Sequence, residues 1–228
     1  MTDDTAADWE VPTRSSVLVT GPSEDTLDGV VEHLVGTRAG PAGGLVVSTR
    51  DGTVDLHEAR HEALTSFAEG AAGLVDCTPG TSTGVDRERL RWRVSSPTAF
   101  TSIGMAVSDG LAALAERGVE VPWVVFDTLS TPLVSADATD VLRFAHAVHA
   151  QVTTRGGVAV FPVYTNVTTG TDLERCKHLA NVQVDVRKRG GRRRARVHGI
   201  ESAPAGWLPL GSTDAIARDV GAPDVRAP

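Results

Sequence analysis

The chain has little of what would tie it to redox chemistry, to a membrane or to nucleic acid. There are two cysteines in 228 residues, Cys77 and Cys176, far apart and neither in a Cys-x-x-Cys pair. They read as reduced thiols, which excludes a disulfide framework and a cysteine metal site. Lysine occurs only at Lys177 and Lys188, and aromatic residues make up 4% of the chain. No apolar run is long enough to span a bilayer. The start, Met-Thr-Asp-Asp-Thr, is acidic and is not a signal peptide, so a cytoplasmic protein is expected. A formal charge of −7 and a pI near 5.5 exclude a general nucleic-acid binder, whose surface would be basic.

What is present is a core. Hydrophobic content is 41%, and the length suits one sizeable α/β domain. The acidic, lysine-poor balance fits a salt-tolerant host with a GC-rich genome, the alternative being a mesophilic GC-rich bacterium. Short apolar runs read as strands at Ser16–Thr20, Gly44–Thr49, Gly73–Cys77, Pro122–Asp127 and Gly157–Tyr164. Helical spacing appears over Glu24–Val35, Asp55–Glu69, Ala99–Arg117 (capped by Ser96-Pro97-Thr98), Asp137–Arg155 and Asp172–Ala180. Thr78–Arg89 reads as a surface loop, with a brief extended piece at Trp92–Ser95. Val182–Arg187 and Arg194–His198 flank Gly190-Gly191 and predict an antiparallel hairpin. Strands alternating with helices imply a mostly parallel sheet with right-handed crossovers, the hairpin lying at one edge. The expected layout is a loose segment over residues 1–14, one domain over 15–210 and a tail over 211–228.

The stretch Val124-Val125-Phe126-Asp127-Thr128-Leu129 organises the rest. An apolar run of this kind is a central strand buried on both faces. A lone carboxylate at its carboxyl end stands where open α/β sheets bind ligands. In P-loop nucleoside triphosphatases an Asp so placed helps hold Mg²⁺, so Asp127 is the candidate metal residue by that resemblance, and its bland reading is a strand-end carboxylate capping the next turn.

The chain resembles the RecA/KaiC-like ATPases, in particular their short haloarchaeal members. The resemblance spans roughly Ser15 to Leu210. It rests on the order of elements, on Val124 to Leu133 as a Walker B strand and turn, on Gly156 to Thr165 as the next strand, on Ser95 to Gly104, and on the basic hairpin Val184 to Val197. It implies an α/β three-layer fold with ATP and Mg²⁺ as the cofactors. The motif that would hold the phosphates departs from the family's. A Walker A loop, GxxxxGK[ST], turns backbone N–H groups and a lysine onto the phosphates. Here the stretch is Gly21-Pro22-Ser23-Glu24-Asp25-Thr26-Leu27-Asp28. Gly21 and Pro22 match the opening, and Ser23 and Thr26 are what remains of a cofactor-binding loop. The second glycine, the lysine and the metal-binding hydroxyl are out of register. Each carboxylate within ~5 Å of a phosphate would cost on the order of 1–3 kcal/mol at an effective dielectric near 20. Where the family has a pair of Glu residues after the next strand, this chain has Arg50-Asp51, so Asp51 is the one catalytic candidate, as a base.

Other residues are weighed against plainer readings. His57 and His61 stand at i and i+4 on an expected helix, a zinc spacing without a third ligand, and read as a polar face, as do His146 and His149. Arg187, Lys188, Arg189, Arg192, Arg193 and Arg194 cluster across the Gly-Gly turn and form the leading partner-binding patch. Their plain reading is a solvated tip offsetting an acidic surface. Trp9, Trp92, Trp123 and Trp207 are expected to be core or interface anchors. The expectation is a non-catalytic, pseudo-ATPase adaptor in regulation or signalling, acting through a protein partner or self-association, with no cofactor required. The alternative is a weak ATP-binding switch or ATPase with a non-standard loop. A DNA-associated recombinase paralogue ranks third.

Overall fold

The computed structural model describes residues 10–27, 30–31, 34, 43–50, 71–80 and 82–210. The expected helix at 55–69, Asp51, His57, His61, Trp9, Asp28, the Asp25 side chain and the tail lie outside the described residues.

Five short apolar runs set the sheet. β1 (Ser15–Gly21), β2 (Gly43–Ser48), β3 (Ala72–Asp76), β6 (Pro122–Phe126) and β7 (Val158–Tyr164) are buried along almost their whole lengths. Alternate residues of one strand serve opposite faces. Leu18, Val124, Phe126, Ala159 and Phe161 face one layer, while Val17, Val19, Val125, Val158 and Val160 face the other. On the first face lie α2 (Phe100–Glu116), through Ile103, Val107, Leu111 and Leu114, and α4 (Ala138–Thr154), through Leu142, Ala145, Val148 and Val152. Phe126 packs edge-on to Phe144 at 5.9 Å between ring centres and against Phe161 at 5.3 Å. On the second face lie Leu27 of α1 (Glu24–Leu27), Val30 and Leu34. Helices on both faces of a mostly parallel sheet make a three-layer α/β domain.

With β4 (Gly84–Asp86), β5 (Arg91–Arg93), β8 (Val182–Arg189), β9 (Arg192–His198) and β10 (Leu208–Pro209), the described residues form a sheet of ten strands in the order β10-β9-β8-β1-β7-β6-β2-β3-β5-β4. β1 pairs in parallel with β7 and β8, β6 with β7 and β2, and β3 with β2 and β5. β8 (Val182–Arg189) and β9 (Arg192–His198) form the expected antiparallel hairpin, and β10 (Leu208–Pro209) pairs with β9. The chain moves one way along the sheet from β1 to β2 and β3, and the other way from β6 to β7 and β8. The carboxyl ends of β1, β7, β6 and β2 therefore lie beside the points where the winding reverses, where α/β sheets form a crevice.

Four local expectations are corrected. The loop expected over Thr78–Arg89 contains β4 (Gly84–Asp86), antiparallel to β5 (Arg91–Arg93), so both sheet edges carry an antiparallel strand. β4 is wholly exposed and shows no apolar pattern that would mark it. Beyond the short turn at Asp127–Leu129, a helix α3 (Ser130–Ser135) follows that the sequence reading did not include. The N-terminus of α2 has no side-chain cap: Ser96 Oγ accepts from the Thr98 N–H at 3.2 Å and the two hydroxyls lie 2.9 Å apart, a local turn that competes with capping. The helix expected at Asp172–Ala180 runs instead over Gly170–Lys177 (α5), capped by Thr169, whose hydroxyl accepts from the Asp172 N–H.

Candidate functional site

Asp127 follows the last residue of β6, and its side chain is 2% exposed. Chain order does not put its neighbours beside it; the β2–β6 pairing does. That pairing aligns Val47 with Phe126 and sets Ser48, Thr49 and Arg50 against the carboxylate. Ser48 donates its hydroxyl to Oδ2 at 3.0 Å, and the Thr49 N–H donates at 3.0 Å. The Thr49 hydroxyl lies 2.7 Å from Oδ1 and 2.8 Å from the Thr128 carbonyl. The Arg50 N–H donates at 3.2 Å and the Thr128 N–H at 2.6 Å. Arg50 Nε completes the set at 3.3 Å, forming an ion pair. Both carboxylate oxygens are thus held by donors from β2 and from the turn into α3.

Arg50 extends the chain of charge outward. Its Nη1 pairs with Glu24 at the start of α1, directly after the Gly21-Pro22-Ser23 turn. Burial alone would lower the guanidinium's pKa, but the carboxylates of Asp127 and Glu24 outweigh it and hold it above the ordinary arginine value. The cation is therefore permanent. It joins the β1–α1 turn, the end of β2 and the end of β6.

The remaining loop residues bond among themselves. Gly21 closes β1, and its carbonyl accepts from the Thr165 N–H at 2.7 Å. Ser23 and Thr26 hydroxyls lie 3.1 Å apart, and the Ser23 carbonyl accepts from Thr26 N–H at 3.1 Å. Pro22 offers no N–H to a phosphate. Thr26 is buried.

These residues do not fit Mg-ATP. Mg²⁺ demands near-octahedral oxygen ligands at about 2.0–2.1 Å. It would have to take Asp127 from a guanidinium and several N–H and O–H donors. A triphosphate would have to approach Glu24, with no lysine beside it. Sequence reading had identified Asp127, the intruding Glu24 and the Arg50 departure separately. It missed Ser48 and Thr49 as donors and missed that Arg50 bridges the two acids. The Ser-Thr-Arg string at the end of an apolar strand was the available signal.

Of the other candidates, Cys77 and Cys176 are free and buried. Burial pushes the Cys77 thiol up, helped by Asp127 and Asp76, and pushes Cys176 up to about 11. Neither is a thiolate nucleophile near neutral pH. His149 is half-buried rather than exposed, and its pKa is lowered by burial and by His146. No group of three His, Cys, Asp or Glu able to hold a metal occurs among the described residues. No helix among them is long and apolar enough to cross a membrane.

The basic patch divides by face. In the hairpin register Arg187 opposes Arg194, Lys188 opposes Arg193 and Arg189 opposes Arg192. Lys188 and Arg193 share the face of Val184, Val186, Ala195 and Val197, which belongs to the second core layer. Arg187, Arg189, Arg192 and Arg194 project from the other face, joined there by Arg196. Trp207 lies over that face, 3.8 Å from the Arg187 guanidinium and 5.1 Å from that of Arg196.

A family model matches residues 14–186, which covers the Asp127 site and the first hairpin strand up to Val186. The chain belongs to DUF7504, a family of unknown function. This DUF7504 chain is also similar in structure to a KaiC-like protein from the hyperthermophilic archaeon Pyrococcus horikoshii OT3. The TM-score is 0.54 and the identity 12%, over 87% of this chain and 85% of that one. At that identity the likeness establishes the fold, which is RecA/KaiC-like, with the antiparallel strands β8, β9 and β10 at one edge. No curated protein matches.

Proposed function

We propose that the chain is a non-catalytic RecA/KaiC-like regulatory or signalling adaptor, a pseudo-ATPase whose nucleotide position is closed by its own side chains. The observation that carries this reading is the Glu24–Arg50–Asp127 chain. Arg50 supplies the cation that a bound metal would otherwise bring to Asp127. Glu24 supplies an anion beside the loop where phosphates would lie. Breaking a fully buried pair by removing one partner typically costs about 3–5 kcal/mol; Arg50 is partly in solvent, so a metal that displaced it would start from a deficit of about 2 kcal/mol.

The second reading, an ATP-binding switch, is favoured by one observation: Asp127 does stand at the carboxyl end of a central strand of a KaiC-like fold. It requires Arg50 to leave. Isothermal titration of Mg-ATP, with a phosphate-release assay alongside, separates the two. The adaptor reading expects no saturable heat and no release above a protein-free blank. Saturable binding with turnover, both lost in Asp127→Ala, would reject it. Interaction through a protein partner is part of this proposal, and the basic hairpin is the surface assigned to it.

A further inference from the structure

Three like-charged pairs stand directly opposite one another at the end of the β8–β9 hairpin. Such pairs destabilise a sheet. Residues 185–196 hold seven cations and one acid, a net of +6, which leaves −13 on the rest of a chain whose formal charge is −7. Arg196 is paired with Asp185 at 2.9 Å, but Arg189, Arg192 and Arg194 have no ion pair among the described residues. Arg187 and Arg196 are held against Trp207, and the Nε of each is buried without a hydrogen-bond partner. A face that gathers five guanidiniums, orders two of them on an aromatic ring and leaves buried donors open is costly for the isolated fold.

Resting on the adaptor reading, we infer that the face formed by Arg187, Arg189, Arg192, Arg194, Arg196 and Trp207 docks an acidic, Asp- and Glu-rich segment of a partner protein. Guanidiniums take carboxylates in a planar, two-bond geometry that lysine cannot offer, and no lysine stands on this face: its five strong cations are all arginine, with Asp185 the one acid among them. Its size suits a peptide: from Asp185 to Arg189 is about 13 Å of strand, beside a neighbour about 4.8 Å away. Nucleic acid is the poorer fit. A base stacking from the hairpin side would have to displace the Arg187 guanidinium, which sits 3.8 Å from the centre of the Trp207 ring. A longer polyanion would also run onto the acidic remainder of the chain.

The test is fluorescence anisotropy with a labelled peptide of about ten alternating Asp and Glu residues, in low salt and in about 0.5 M KCl. The wild type should bind it saturably and lose affinity with salt. Arg189→Glu/Arg194→Glu should weaken binding roughly tenfold or more. Arg89→Glu/Arg155→Glu, which makes the same change in net charge away from the hairpin, should stay within about threefold of wild type. Absence of binding in low salt, or an equal loss in both variants, overturns the proposal. So does tighter binding of a single-stranded DNA of equal charge. If sedimentation shows the wild type self-associating and only the hairpin variant monomeric, the face belongs to a second copy and the proposal is likewise overturned. No nucleotide enters the assay, so its outcome is separate from that of the Mg-ATP titration.

Discussion

Removing the Arg50 side chain and altering Asp127 should not be independent events. The carboxylate side chain is 2% exposed, and the Arg50 side chain is 20% exposed with Nε at 3.3 Å. A fully buried pair that loses one partner costs about 3–5 kcal/mol. Here Asp127 keeps donors from Ser48, Thr49, Thr128 and the Arg50 backbone, and part of the guanidinium is in solvent. Arg50→Met, which preserves most of the stem, should therefore cost about 2 kcal/mol. Asp127→Asn turns an amide NH₂ toward the N–H groups of Thr49 and Arg50 and strands buried donors, for about 3 kcal/mol. With the pair already broken, the double variant should fall short of the sum by about 1–2 kcal/mol. Glu24→Gln, at the 46% exposed end of the chain of charge, should cost under about 1 kcal/mol. Urea denaturation measures all four, provided the slope with denaturant stays constant. If the two losses add to within about 0.5 kcal/mol, Arg50 and Asp127 do not act as one unit and the closed-site reasoning fails.

Three further outcomes are expected. Asp185 feels burial, which would raise its pKa, but the bonds from Arg196 and Thr20 outweigh it and hold the carboxyl below its ordinary value. A depressed folded pKa contributes stability that is present above the unfolded value near ~3.9 and lost as pH falls through the folded one. Melting temperature should therefore drop more steeply below about pH 4 in the wild type than in Asp185→Asn, and parallel curves would refute this. Cys77 and Cys176 should resist iodoacetamide at mildly alkaline pH in the native protein and react together on denaturation; fast native labelling at either would contradict their burial. Gly199 has φ +86°, and a Cβ there would sit 1.9 Å from the Asn181 carbonyl oxygen, so Gly199→Ala should cost about 3 kcal/mol or more by calorimetry. A loss under about 1 kcal/mol would mean that the β9 exit can shift freely.

The strands were legible because burial on both faces leaves uninterrupted apolar runs, as in Val124 to Phe126. The hairpin was legible because Gly190 and Gly191 adopt positive φ between two alternating segments. Elements without such a signature were not. β4 is three exposed residues, and α3 is six residues with a proline inside. The site was half legible for a related reason. Asp127 announces itself locally, but its partners Ser48, Thr49 and Arg50 lie 77 to 79 positions away and meet it only because β2 inserts beside β6. Likewise the basic patch could be seen in the sequence, but not its division. Strand alternation sends Lys188 and Arg193 to the layered side and Arg196 to the other arginines, where Trp207 meets it from the loop before β10.

The central claim is that this fold keeps its nucleotide position shut over Glu24, Arg50 and Asp127. A thermal melt with and without millimolar Mg-ATP, at low and at molar KCl, beside Asp127→Ala, tests it most directly. Ligand that binds only the folded state stabilises it by RT ln(1 + [L]/Kd), about 2.7 kcal/mol at a hundredfold excess over Kd. The account predicts superimposable curves with and without Mg-ATP at both salts. A rise of several degrees in the wild type, lost in Asp127→Ala, would contradict it.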